Sequence, residues 1–387
     1  MPTKRVQTFG MVIISCALIG ACTRKAASVG PKFSGRLLLL AGENTNGANL
    51  VELTTGANST YNYSVVTSGV FEAAASPDRT RLLYTTKDGI LLRDLRTGAV
   101  KPLARGENYC LAWSPDSNRF SYKQKSSEKE KGAISEAGAR TKLYVSDLDG
   151  KTKLIWEDLT ANYGTVSFPG QASVLEKAAG TSGCSQWIAP DRFIFDRFLG
   201  AFPKEKKGGE VLKPNTTTLA ILSDPVKLVD TDRKWSIESV CQVGTVALVC
   251  PHDQDQPILI AKSLDHLETL NPSPAQCSGC RFVGFAAKSC VPFFVEESTG
   301  TSSELFSLNP INWQRQRGAH LGQTFSVAAK MLINSSARLM IVGDVPASLL
   351  LVDTETGEIV PFFPKSAGPS GTNGELLFPV PVVWIEN

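Results

Sequence analysis

The stretch Cys110–Lys123 reads CLAWSPDSNRFSYK: a short apolar strand ending in Trp113, a Ser-Pro-Asp turn, and a second strand with large residues at alternating positions. Proline at the second position of a turn pre-sets φ, and aspartate bonds its own backbone, so this turn is specified locally. The plan recurs in AAASPDRTRLLYTT from Ala73 and in CSQWIAPDRFIFDR from Cys184. In two of these copies a cysteine stands three residues before the tryptophan: Cys110 with Trp113, and Cys184 with Trp187.

A second element follows each copy at a distance. LVELTTG ends at Gly56, LRDLRTG at Gly98, LVDTETG at Gly357, and VSDLDG, a looser copy, at Gly150. Each reads as a strand with an acidic residue near its end, closing into a turn that uses glycine for positive φ. Short strands come next: AVKPLA, KTKLIWE and EIVPFF. The whole unit is four antiparallel strands in about 40 to 45 residues, the period of a propeller blade. Degenerate copies cover Ser236–Leu270, Arg281–Gln316 and Thr324–Phe363.

This predicts an all-β fold, a β-propeller of about seven four-stranded blades, with six to eight allowed. The first blade lacks an inner strand, whereas PVPVVWIEN is left over at the other end, with Trp384 at the place of Trp113 and Trp187. The C-terminal strand is therefore expected to pair into blade one and close the ring, removing its exposed edges. The alternative is a generic two-sheet sandwich, which the matching units disfavour. The best helical candidate is GQASVLEKAAG, Gly170–Gly180, a few turns at most. The three tryptophans are expected to pack between blades rather than to stack on a ligand.

The Ser-Pro-Asp turn with its tryptophan resembles the repeat of the TolB-type, WD40-like propellers of bacteria. The likeness is clear over Ala73–Leu154 and looser around Trp187 and in the last three blades. Arg79, Ser117 and Arg192 stand where that repeat usually has glycine. The resemblance implies a protein-binding role in the cell envelope.

The 387 residues carry 42% hydrophobic content, enough to bury a full core, and a formal net charge of only +3. So neutral a chain has no basic face to replace counterions, and a nucleic-acid partner is not expected. Lys4 and Arg5 precede the apolar run FGMVIISCALIGA, which has the length of a signal h-region and is too short for a membrane span. Ile19-Gly20-Ala21-Cys22 resembles a bacterial lipobox, against the alternatives of an ordinary signal peptide or an uncleaved anchor. The expected organisation is a signal peptide over 1–21, a lipidated tether over 22–32 beginning at Cys22, and one propeller domain over 33–387. Several acyl chains make an anchor durable, and the tether reaches at most about 30 Å. Thr23 stands where an inner-membrane retention signal usually has Asp, so the outer membrane, facing the periplasm, is the expected site.

Cys110, Cys184, Cys241, Cys250, Cys277, Cys280 and Cys290 remain in the mature chain, an odd number. Export permits disulfides, and Cys250, Cys277, Cys280 and Cys290 are the expected participants. A zinc site from Cys250, His252, Cys277 and Cys280 is the less favoured alternative, because the spacing matches no common knuckle. CSGC lies between NPSPAQ and a strand, not at a helix N-terminus, which argues against a thioredoxin-like role.

Nucleophilic catalysis needs a base beside a serine or cysteine. His252, His266 and His320 lie in turn-like or polar contexts, and GTSGC at Gly180 lacks the spacing of a nucleophile elbow. No catalytic residue, metal or cofactor is assigned, and the chain is expected not to be an enzyme. Asp147 and Asp149, and Asp253 and Asp255, read as turn formers.

Two long insertions, Lys123–Arg140 and Gly200–Pro214, follow the second strands of consecutive blades and emerge with the connection from Thr160 on one face. Both have a small basic excess. Lys125, Lys129, Lys131, Lys204, Lys206 and Lys207 are the candidate contacts to an acidic partner or to anionic headgroups, against the plainer reading of solvated loops. The function expected is that of a membrane-tethered lipoprotein, monomeric, serving as an interaction platform for an envelope protein. The alternatives are capture of a glycan or small molecule at the channel mouth and, behind it, a degenerate peptidase-associated propeller.

Overall fold

A computed structural model of the chain describes residues 32–42, 47–55, 61–129, 139–157, 178–200, 216–231, 235–241, 246–251, 258–261, 280–286, 289–298, 302–309, 312, 314–325, 329–334, 336–344, 348–361 and 380–386. They form antiparallel sheets laid out in chain order. β1 (Arg36–Ala41), β2 (Ala48–Thr55) and β3 (Tyr61–Val70) open blade one. Blade two is β4 (Glu72–Ala75), β5 (Arg81–Thr86), β6 (Gly89–Asp94) and β7 (Val100–Arg105). Blade three is β8 (Asn108–Trp113), β9 (Arg119–Lys129), β10 (Ala139–Asp147) and β11 (Thr152–Glu157). Blade four is β12 (Ala178–Ala189), β13 (Arg192–Gly200), β14 (Thr216–Ile221) and β15 (Lys227–Thr231).

Blade five shows β16 (Trp235–Val240), β17 (Val246–Pro251) and β18 (Ile258–Ala261) among the described residues. Blade six is β19 (Cys280–Phe285), β20 (Pro292–Ser298), β21 (Ser302–Leu308) and β22 (Arg315–Leu321). Blade seven is β23 (Lys330–Ile333), β24 (Leu339–Asp344), β25 (Ser348–Asp353) and β26 (Ile359–Pro361). β27 (Val380–Ile385) then returns to pair antiparallel with β1, so that blade one runs β27-β1-β2-β3. The closure expected from the leftover C-terminal strand is the closure observed.

First strands of successive blades pack side by side around the axis: β27 on β4, β4 on β8, β8 on β12, β12 on β16, and β19 on β23, which meets β27 again. The core lies between blades, and the apolar runs follow from that. Side chains alternate along a strand, so a strand sandwiched by two blades is apolar on both faces. In β1, Leu37 and Leu39 face Ile341, Leu349 and Leu351 of blade seven, while Leu38 faces Leu82, Tyr84 and Leu95 of blade two. Each such buried leucine contributes about 1.5–3 kcal/mol.

The Ser-Pro-Asp turn has one geometry in each clear copy. Ser76 N–H donates to Arg81 O and Ser114 N–H to Arg119 O, both at 2.9 Å, and each serine hydroxyl donates to the aspartate two residues on. The residue after the aspartate is left-handed, with φ 58° at Arg79 and 60° at Ser117. Glycine is usual there because it alone enters that region without steric cost. Blade seven repeats the turn with a changed sequence: Asn334 N–H donates to Leu339 O at 2.9 Å, and Ala337 has φ 59°.

The acidic-glycine element is the turn from third to fourth strand. Asp94 Oδ1 accepts the N–H groups of Arg96 and Thr97, Asp353 Oδ1 those of Glu355 and Thr356, and Asp147 Oδ1 those of Asp149 and Lys151. Asp147 is thus a turn former, as expected.

Two readings are corrected. The helical candidate at Gly170–Gly180 ends in strand: residues 178–180 open β12, and the rest lies outside the described residues. The segment read as a loop from Lys123 is strand as far as Lys129, which lies opposite Ala139. Lys123 is only 3% exposed, because its alternation with Ser121 and Lys125 turns it inward. A long polar run that keeps a pairing partner stays in the sheet, and composition alone had suggested a loop.

Candidate functional site

Strands β9 and β10 of blade three extend as a ribbon past the end of β8, where Asn108 pairs with Gln124. In blade four β12 and β13 pair out to Ala178 opposite Gly200, and among the described residues β14 pairs as far as Arg197 with Thr216. Because strands alternate in direction, second-to-third-strand loops and blade-to-blade connections share a face. Both ribbons therefore project from one face, in adjacent blades.

The ribbon of blade three stands on an aromatic stack. Phe120, Tyr122 and Tyr144 follow one another at centroid separations of 5.8 and 5.4 Å. Burial, with the neighbouring Tyr144, pushes the Tyr122 hydroxyl up to about 12. Lys125, on the ribbon, is exposed and lies 3.4 Å from the Glu107 carboxylate. Exposed pairs of this kind are worth little and leave the charge open to solvent. Lys129 is held by its backbone in β9. Lys131, Lys204, Lys206, Lys207 and Cys22 lie outside the described residues.

On the opposite face, at the end of the inner strands, a cavity of about 400 Å³ opens between blades three and four. Pro77, Pro115, Trp113, Trp187, Gln186 and Cys184 are among its walls. The indoles also fasten blades together, as expected. Trp113 Nε1–H donates to Ala74 O at 2.9 Å, and Trp187 Nε1–H donates to Ser121 Oγ at 2.9 Å and to Ala112 O at 3.1 Å. Ser121 and Ser185 hydroxyls meet at 2.6 Å beneath. Trp384 differs, donating to Ser34 O at 2.8 Å within its own blade. The described wall offers the margins of two buried indoles, proline rings and the Gln186 amide.

Beside this cavity the inner strands are bulged. The β8–β9 register shifts between Tyr109 and Ala112, and the β12–β13 register between Ser182 and Gln186. Bulges re-aim side chains, and here they turn Cys110 and Cys184 together into a disulfide with Cα atoms 4.9 Å apart. Glu72 of β4 reaches across to accept the N–H of Leu111 at 2.9 Å. Burial pushes the Glu72 carboxyl above its ordinary value, against the N–H groups of Leu111 and Cys110, which favour the charged form.

The disulfide reading needs correction. Cys290 pairs with Cys241, in the turn after β16, at 5.4 Å between Cα atoms, rather than within the group Cys250, Cys277 and Cys280. Cys110–Cys184 had not been among the candidates. Both bonds join neighbouring blades, three to four and five to six. Cys280 is disulfide-bonded as well, which removes it from the alternative zinc set. The side chain of Cys250 and all of Cys277 lie outside the described residues. Among the described residues no group of three or more His, Cys, Asp or Glu side chains is placed to hold a metal ion.

No protein-family model matches the chain, and no curated protein matches it. Solved structures do. An oligogalacturonate lyase in complex with manganese is similar at a TM-score of 0.51 and 12% identity, over 89% of this chain and 89% of that one. The acylaminoacyl peptidase of Pyrococcus horikoshii is similar at 0.51 and 12%, over 85% of this chain and 50% of that one. TolB from Acinetobacter baumannii is similar at 0.39 and 11%, over 90% and 83%.

At these identities the likeness shows the fold. The expectation that the chain is not an enzyme is overturned: a lyase and a peptidase share this architecture, so the fold does not separate binding proteins from enzymes. The disulfides fit an oxidising, exported setting. The fold is a β-propeller, as its repeat implied.

Proposed function

We propose that the chain is an exported, lipid-anchored propeller that docks another protein of the cell envelope on the face carrying the two ribbons. The observation that carries this reading is the extension of β9–β10 and β12–β13 beyond their blades, side by side. A rigid ring that fixes both ends of such ribbons lowers the entropy lost when a partner orders them. Lys125 and Lys129 supply positive charge at the base of the first ribbon, and Lys131, Lys204, Lys206 and Lys207 supply it in the segments beyond, suiting an acidic partner.

Cross-linked capture from envelope membranes, comparing the parent with Cys22→Ser, tests the reading. A protein partner captured by the parent and lost with the anchor supports it; no captured protein overturns it. A second reading rests on the cavity beside Trp113 and Trp187, whose size and aromatic wall suit a small neutral ligand such as a sugar. Mass spectrometry of the purified protein would find that ligand bound.

A further inference from the structure

We propose that the Cys110–Cys184 disulfide is a thiol-exchange site: a low-molecular-weight thiol enters the cavity between blades three and four and is captured on Cys184 as a mixed disulfide. The two inter-blade bonds differ in their surroundings. Cys241 and Cys290 are each 2% exposed and lie in one apolar cluster with Phe294, Phe306 and Leu308. Cys241 borders the same cavity, but its burial shields it from attack. Cys184 is exposed in the cavity wall, with Cys110 half-buried behind it. Exchange needs an accessible sulfur, and exposed or strained bonds are the labile ones. The cavity, about 400 Å³, has the size of a small-molecule pocket.

The backbone points the same way. Cys110 is left-handed, at φ 59°, in the middle of β8, a conformation that bulges usually give to glycine. Cys290 is also left-handed, at φ 53°, but it sits in the turn between β19 and β20, where Ala286 N–H donates to Val291 O at 2.9 Å. Opening the first bond frees Cys110 to leave that region, and the blades stay joined. Trp187 Nε1–H still reaches Ser121 Oγ and Ala112 O, and Glu72 still holds the N–H of Leu111. The attacking thiol gives its proton to solvent and its sulfur bonds to Cys184 Sγ. The Cys110–Cys184 bond breaks, its electron pair leaves on Cys110 Sγ, and that sulfur takes a proton from solvent. There is no net oxidation, and the Cys110 thiol, kept in place by Glu72 through Leu111, reverses the step.

Glutathione serves as the probe. The folded full chain is treated with a glutathione redox buffer and quenched in acid, and its thiols are alkylated before peptide mapping. Glutathione should appear on Cys184 with Cys110 alkylated, while Cys241 is still recovered joined to Cys290. The first bond should open at least about tenfold faster than the second in the folded chain, and at a similar rate in urea. Gln186→Trp, which narrows the cavity, should slow the adduct in the folded chain and leave the rate in urea unchanged. Two bonds that resist until the chain unfolds overturn the proposal, as do two that open together in the folded chain. Glutathione on Cys110 instead of Cys184, or a Gln186→Trp protein that reacts as fast as the parent, also overturns it.

Discussion

Asn334 Nδ2 donates a hydrogen bond to Glu386 Oε1 at 2.8 Å, tying the turn of blade seven to the strand that completes blade one. The other oxygen of Glu386 lies 3.4 Å from Arg79 of blade two, whose guanidinium also donates to Trp384 O at 3.1 Å. One carboxylate thus clasps three consecutive blades at the point where the ring closes. Trp384, 2% exposed, packs against Phe33 at 5.4 Å between ring centroids.

Closure through β27 should be the largest single contribution of any chain end to stability. Trp384→Ala should cost about 3–5 kcal/mol through the cavity it leaves. Glu386→Ala should cost about 1–2 kcal/mol for the lost charge-assisted bonds. Deletion of residues 379–387 should lower the melting temperature more than either, since it reopens a strand edge on β1. A truncated protein that melts like the parent would show that the ring is held some other way.

The inter-blade disulfides should matter by similar amounts. Cys110 and Cys184 are separated by 74 residues and Cys241 and Cys290 by 49, so by chain entropy each bond stabilises by about 4 kcal/mol. Reductant should lower the melting temperature, and Cys110→Ser with Cys184→Ser should reproduce part of the fall. Peptide mapping without reduction should recover both linkages. Recovery of Cys290 joined to Cys250, Cys277 or Cys280 would contradict the assignment.

Ala337 holds a left-handed backbone at φ 59°, with only a methyl group packed at the margin of the core between blades six and seven. Ala337→Gly should stabilise by about 0.5–1 kcal/mol, the relieved strain being partly offset by the freer unfolded chain. Ser117→Gly should gain less, because Ser117 Oγ also accepts the N–H of Asp78 at 3.1 Å. Denaturant midpoints for the two variants give the comparison.

Glu72 sets a pH dependence. Its carboxyl is raised above the ordinary 4.5 by burial, so the folded chain holds that proton more tightly than the unfolded one. The resulting stability is fully present below the unfolded value and is lost as pH rises through the folded value. Glu72→Gln keeps an acceptor for Leu111 N–H and removes the charge. Its stability relative to the parent should therefore rise as pH increases from the ordinary carboxylate range through the raised folded value, as read by urea melts. A difference that is constant with pH would show that the carboxyl is not perturbed.

Much of this architecture was legible because it is local. Pro77 with Asp78, and Pro115 with Asp116, specify their turns by themselves, and Trp384 marked the leftover strand by its likeness to Trp113 and Trp187. The left-handed residue after Asp78 and Asp116 explains the usual glycine, and Arg79 and Ser117 adopt the same geometry in its place. The disulfides were not read because they depend on which blades are neighbours, although Cys110 and Cys184 sit at matching places in consecutive copies. Their pairing follows once those copies are laid side by side. Lys123 misled in the opposite way: its charge suggested a loop, while its place beside the buried Ser121 on one face of β9 decided its burial. Turn 334–339 escaped notice since Asn334 and Ala337 keep the backbone geometry without the Pro-Asp signature.

The most direct test of the account is capture of the envelope partner by a protein carrying Lys129→Glu, Lys131→Glu, Lys206→Glu and Lys207→Glu together. With docking on the ribbon face, capture should fall at least tenfold at low salt, with the melting temperature of the parent retained. Capture equal to the parent's, from a protein that folds as the parent does, would contradict it.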